Sequence, residues 1–131
     1  MTLLGKERRK EKRMELLESF SFFVTVPSKG EMRLKVSDVS MSGVGFDYDV
    51  SEEPTGMTHV ENNDSFRIHF YLNQSVYLPF DVKVVRVKFV DGIRKIGAQI
   101  TDSGANEAIA YQSLVRMLEH LLKVGHLESG S

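Results

Sequence analysis

Through most of the chain, apolar and polar residues alternate with a period of two, the pattern of strands that bury one face. The first such run, residues 20–26, stops at the turn cluster Pro27-Ser28-Lys29-Gly30. Met32, Leu34 and Val36 then alternate with Arg33, Lys35 and Ser37. Residues 43–48 read as the partner strand, with residues 38–42 as the connection. Phe66, Ile68, Phe70 and Leu72 mark one face of the next strand. In the long run 76–90 the apolar phase follows Leu78, Phe80, Val82 and Val84, then slips to Val85, Val87 and Phe89. A slip of one residue predicts a bulge or sharp bend near Val84, a device that curls a sheet toward a barrel. Asp91-Gly92 predicts a hairpin turn into a final strand over 93–100.

Helical spacing appears at the two ends. Residues 5–17 are dense in good helix formers and read as a short helix or an ordered tail. Near the C-terminus, Ala108, Tyr111, Leu114, Val115, Leu118, Leu121 and Leu122 form an apolar stripe at helical spacing. Ser103 or Asn106 caps this helix and Gly125 stops it, and the stripe is expected to lie across an end or flank of the barrel. Between the two halves, residues 49–64 form a polar loop with Pro54, Gly56 and Asn62-Asn63, long enough for a mobile cover. The expected organisation is a basic N-terminal segment (1–19), a barrel with its helix (20–125) and a tail (126–131). The fold class is mainly β: a small antiparallel barrel of six strands, split, with a C-terminal α-helix.

Composition narrows the chemistry. With 131 residues, 41% hydrophobic and 27% charged, the chain suits one globular domain that buries a core without staples. It holds no cysteine, so disulfides, thiolate metal sites and a cysteine nucleophile are excluded. No apolar run reaches the roughly 20 residues of a membrane span, and residues 1–5 lack the core of a signal peptide. A cytoplasmic protein is the simplest expectation. His59, His69, His120 and His126 lack metal-ligand spacing. Ser40 has no nearby histidine or lysine to activate it, and Gly43-Val44-Gly45 lacks the lysine of a P-loop. Neither an enzyme nor a cofactor is expected.

Charge is concentrated. Although the net charge is −1, residues 6–13 hold six cations (Lys6, Arg8, Arg9, Lys10, Lys12, Arg13) against Glu7 and Glu11. One short basic segment fits a small anionic ligand better than a polymer. Within it, Arg9 and Arg13 form R-x-x-x-R, a spacing that projects both guanidinium groups to one side of a helix. Alone, such a motif reads first as a solvated, salt-bridged helix. Asp38, Ser40 and Gly43 form D-x-S-x-x-G, which by itself reads as a turn between two strands.

In this order and spacing the two motifs resemble the bipartite signature of the PilZ domain, the bacterial receptor module for cyclic di-GMP. Val82 to Phe89, the Asp91-Gly92 turn and Ile96-Gly97-Ala98-Gln99-Ile100 resemble the family's later strands, with Gly97 at a glycine common there. The resemblance spans residues 8 to about 120; Ile100 departs from it, standing where the family often has an aromatic residue. It implies a cyclic di-GMP site formed by Arg8, Arg9, Arg13, Asp38, Ser40, Gly43 and Gly97. Arginine's planar fork pairs with phosphate and with the O6/N7 edge of guanine, and a carboxylate at Asp38 accepts from guanine N1–H and N2–H2 together. In such proteins a third arginine at the Arg8 position goes with a stacked pair of nucleotides.

The expected function is a stand-alone receptor whose basic segment folds onto bound nucleotide and signals to a separate effector protein in motility or biofilm regulation. Two rivals remain at this point. One is a PilZ-like interaction module without nucleotide binding. The other is a small barrel binding RNA or single-stranded DNA through a basic strand face of Arg33, Lys35, Arg67, Arg86 and Lys88 with exposed aromatics.

Overall fold

A strand that is apolar on one face only must bury that face, and several such strands in series do so by closing on themselves. In the computed structural model, which describes residues 20–52 and 60–125, six strands do this. They are β1 (Phe23–Thr25), β2 (Leu34–Val39), β3 (Gly43–Asp49), β4 (Ser65–Tyr71), β5 (Tyr77–Val90) and β6 (Ile93–Ile100). All neighbours are antiparallel in the order β1-β2-β3-β6-β5-β4, and β4 pairs back onto β1 to close the barrel. Val24, Leu34, Phe46, Ile68, Phe70, Val82, Val84 and Ile96 fill the interior.

The helix α1 (Asn106–Val124) follows β6. It buries Ala108, Tyr111, Val115 and Leu118 against the barrel, whereas Leu121 at the edge of the expected stripe stays partly exposed. Tyr111 is the plug. Its ring meets Phe70 edge-on at 5.1 Å and Phe80 at 4.8 Å, and its hydroxyl donates to the Gly43 carbonyl at 2.6 Å. One residue on, the Gln112 amide donates to the Met41 carbonyl at 2.9 Å. The helix is thereby tied to the β2–β3 turn.

Three expectations are corrected in detail. The first strand is shorter than residues 20–26, because Ser21 has a positive φ of 54° and the ladder starts at Phe23. Asp38 and Val39 belong to β2, leaving only residues 40–42 as the turn. Neither Ser103 nor Asn106 caps α1, since Ala105 occupies the N-cap without a side-chain bond. Gly125 does end the helix, its N–H donating to the Leu121 carbonyl. Of the polar loop, Val50–Glu52 forms a 3-10 turn and Val60 is buried, while residues 53–59, the rest of the expected cover, lie outside the described residues.

The phase slip near Val84 marks a true bulge. Val84 pairs with Ala98 and Arg86 with Gly97, leaving Val85 unpaired. Asp91 and Gly92 both take positive φ (51° and 79°), the geometry of a type I′ hairpin turn.

Candidate functional site

Two bulges define the site. On β2 the register shifts between Val36 and Asp38, so Ser37 is extra; on β5 it shifts between Val84 and Arg86, so Val85 is extra. In regular strands without these bulges, alternation from buried Val36 and Val84 would aim Asp38 and Arg86 into the core. The bulges turn both outward, which is the usual way a sheet re-aims a functional side chain. Across four strands the register then runs Asp38, Gly45, Gly97, Arg86. Two side chains with opposite charge flank two positions with no side chain.

The result is a groove of about 610 Å³ on the outer wall of the barrel. Its floor is Gly45 and Gly97, its ends are Asp38 and Arg86, and Lys88 and Lys95 add positive charge along its length. Interstrand spacing of about 4.8 Å puts roughly 14 Å between the backbones of Asp38 and Arg86. Such a volume falls within the range of small-molecule sites, about 300–1,000 Å³. The Arg86 side chain lies across Gly97: a Cβ on Gly97 would sit 3.6 Å from Arg86 Cβ and 3.7 Å from its Nε. Next to this row, Asp47 pairs in register with Lys35 and Lys95. Partial burial raises its carboxyl above the ordinary value, against the opposing pull of the two lysines.

The D-x-S-x-x-G residues divide by role. Asp38 is exposed and faces the groove. The Ser40 hydroxyl closes the turn, accepting from the Gly43 N–H at 3.1 Å and lying 3.3 Å from the Gly43 carbonyl. Gly43 has no unusual φ; its need is space, since a Cβ there would lie 2.1 Å from the Ala98 carbonyl oxygen. Gly43 is thus buried by β3–β6 packing and receives the Tyr111 hydroxyl, linking turn, barrel and helix. Arg8, Arg9 and Arg13 lie outside the described residues, so their relation to the groove is not given by the structure.

Arg86, Lys88 and Lys95 are absent from the residues that motif matching selects. A signal for Arg86 was present. Counting outward from the two-residue Asp91-Gly92 turn pairs Arg86 with Gly97 directly. Of the five basic residues considered for a nucleic-acid face, Arg86 and Lys88 line the groove, and the other three are engaged elsewhere. Arg67 is paired with Asp81 at 3.0 Å, Arg33 lies over Phe23, and Lys35 sits in register with Asp47. Phe20 and Phe23 are not in the core, while Phe22, Phe66 and Phe70 are.

Comparison with known proteins agrees with this architecture. YcgR of Escherichia coli, solved in complex with c-di-GMP, superposes with a TM-score of 0.58 at 13% identity, covering 78% of this chain and 42% of its own. The Bacillus subtilis inhibitor of motility MotI/DgrA gives 0.57 at 15% identity over 75% of this chain and 47% of its own. K. pneumonia MrkH in its apo state gives 0.64 at 12% identity over 79% and 48%. This chain therefore spans less than half the length of each, and at such identities the likeness is one of fold. No curated protein matches the chain. The PilZ domain model matches residues 7–120, which covers both motifs, the whole barrel and most of α1, and the chain belongs to the PilZ domain family.

Proposed function

We propose that the chain is a cyclic di-GMP receptor that binds the nucleotide in the outer groove and passes its occupancy to a partner protein. One observation carries the reading: the register row Asp38, Gly45, Gly97, Arg86, two bare glycines between a carboxylate and a guanidinium. A flat purine can approach a sheet only where side chains are missing. Asp38 then accepts from guanine N1–H and N2–H2, and Arg86 meets phosphate or the O6/N7 edge from the other side. Family membership supports the ligand, as does the c-di-GMP complex of YcgR.

Arg9 and Arg13 complete the site from the N-terminal segment, with charge-assisted bonds to the phosphates. Arg8 adds a third guanidinium, enough for a stacked pair of nucleotides. Ser40 and Gly43 act by holding the β2–β3 turn, and through Tyr111 they connect the groove to α1. The barrel binds; it does not catalyse.

Base selectivity tests the assignment. Asp38→Ala should weaken cyclic di-GMP binding while leaving residual affinity for cyclic di-AMP unchanged, because adenine lacks the donors that Asp38 reads. Equal loss for both nucleotides would make Asp38 a structural residue of the bulge. Arg9→Ala or Arg13→Ala should each cost about 1.5–3 kcal/mol of binding.

A further inference from the structure

On the side of the barrel formed by β1, β4 and the start of β5, large aromatic side chains point outward. Register pairs Phe23 with Tyr71 and Tyr71 with Tyr77. Their rings stack: Phe23 on Tyr71 at 4.6 Å and 11°, Tyr71 against Tyr77 at 5.0 Å and 33°, Tyr77 on His69 at 4.7 Å and 24°. The Arg33 guanidinium lies 4.6 Å over the Phe23 ring. Arg33, Phe23, Tyr71, Tyr77 and His69 thus form one ladder across the surface. Because the rings spend their faces on each other, they offer edges and hydroxyls rather than a platform for bases.

Beside the ladder opens a hollow of about 240 Å³, lined by Thr25, Glu31, Arg33, His69 and Gln74 with the Phe23 and Tyr71 rings. It shares no lining residue with the groove. Thr25 is 8% exposed, yet its hydroxyl makes no hydrogen bond among the described residues. The hydroxyl oxygen itself reaches the hollow and is open to a ligand there. Arg33 is held flat by the ring beneath it and enters no ion pair among the described residues, so its donor edge is open. The donors outnumber the one carboxylate, Glu31.

We propose that this hollow is a docking site for a partner protein, taking one carboxylate side chain while an apolar neighbour lies along the ladder. The carboxylate accepts from the Arg33 fork and the Thr25 hydroxyl, a charge-assisted pairing made specific by the fixed guanidinium plane. A protein fits better than a metabolite for two reasons. The hollow is below the usual volume of small-molecule sites, about 300–1,000 Å³. A ligand confined to it would also leave Tyr77 and Val76, 43% and 51% exposed, uncovered at its side. Tyrosine, phenylalanine and arginine clustered on one surface are the composition of interface hot spots.

The test is an amide and guanidine NMR titration of the whole chain without nucleotide, which makes it independent of the groove. The probes are acetyl-Leu-Glu-Leu-amide, its glutamine analogue and sodium acetate. The glutamate peptide should give saturable shifts at Thr25, Arg33 and His69, with a Kd on the order of 1 mM. The glutamine peptide and acetate should each bind about fivefold or more weakly, lacking the charge or the apolar contact. Arg33→Gln should weaken the glutamate peptide about tenfold, and Glu31→Gln should tighten it about twofold by removing a like charge. Both positions are exposed, so core resonances serve as the fold check. Absence of saturable shifts at those residues, equal binding of the glutamine peptide, or a reversed order of the two variants overturns the proposal. Acetate binding as tightly as the peptide also overturns it, since the hollow would then be a free-anion site.

Discussion

Gly43 and Gly97 both border the groove, but the structure requires them for opposite reasons, and alanine at each should separate the two. At Gly43 an added Cβ would meet the Ala98 carbonyl oxygen at 2.1 Å, about 1 Å inside the closest approach that real Cβ atoms make. The obstacle is backbone, at the end of the β3–β6 ladder where Gly43 pairs with Gln99, and moving either strand aside stretches the hydrogen bonds there. Overpacking of this kind costs about 1–3 kcal/mol. Stiffening the unfolded chain returns about 0.4–1 kcal/mol of it at a compatible site, which this is not. The Gly43 carbonyl is also the acceptor for Tyr111, so displacement of β3 loosens α1 as well. A net loss of about 2–3 kcal/mol follows, or roughly 10 °C in Tm at the sensitivity of a domain this size. At Gly97 the new methyl would meet only the Arg86 side chain, at 3.6 Å or more, an ordinary contact. Gly97→Ala should therefore keep its stability within about 0.5 kcal/mol. It should still weaken cyclic di-GMP about tenfold or more, because it raises the floor under the base. Urea denaturation and calorimetric titration on the two variants read both effects. A Gly43→Ala protein as stable as the parent, or a Gly97→Ala protein that binds unchanged, refutes the geometric argument.

Three further outcomes are expected. Tyr111→Phe should lower stability by about 1 kcal/mol in urea titration, the worth of one buried hydrogen bond, since Ser40 still donates to the same carbonyl. Arg86→Gln should weaken cyclic di-GMP by about tenfold with the urea midpoint unchanged, because Arg86 is exposed and its loss opens no cavity. Asp47 carries a pH signature. Its folded carboxyl lies above the ordinary 3.8, so its ionisation opposes folding: the cost is absent well below 3.8, grows as pH rises toward the folded value, and is complete above it. Asp47→Asn should accordingly gain on the parent in urea midpoint as pH rises through that window, and a gap that opens only on acidification would reverse the sign.

The features of the fold legible in the sequence are those set by local rules. Alternation located the strands, the phase slip located the Val85 bulge, and Asp91-Gly92 set the β5–β6 register. The matching bulge at Ser37 escaped, because β2 is only six residues long and a slip near its end looks like the start of a turn. That one residue moved Asp38 from loop to strand and gave it a partner in Gly45. Arg86 was visible only as a cation in a long strand until register set it beside Gly97. The aromatic ladder could not be seen at all, since it depends on β1 pairing with β4 across more than forty intervening residues. Tyr71 already falls on the face of its strand opposite Phe66, Ile68 and Phe70, but only the barrel's closure sets Phe23 beside it.

The central claim is that a PilZ barrel with this groove reads cyclic di-GMP in particular. Calorimetric titration of the full chain with cyclic di-GMP and, separately, with GTP tests it most directly. The expected result is a Kd of about 1 μM or tighter for cyclic di-GMP, two nucleotides per chain at saturation, and GTP binding weaker by about a hundredfold or more. Equal affinity for the two nucleotides, or no heat from cyclic di-GMP, would contradict it.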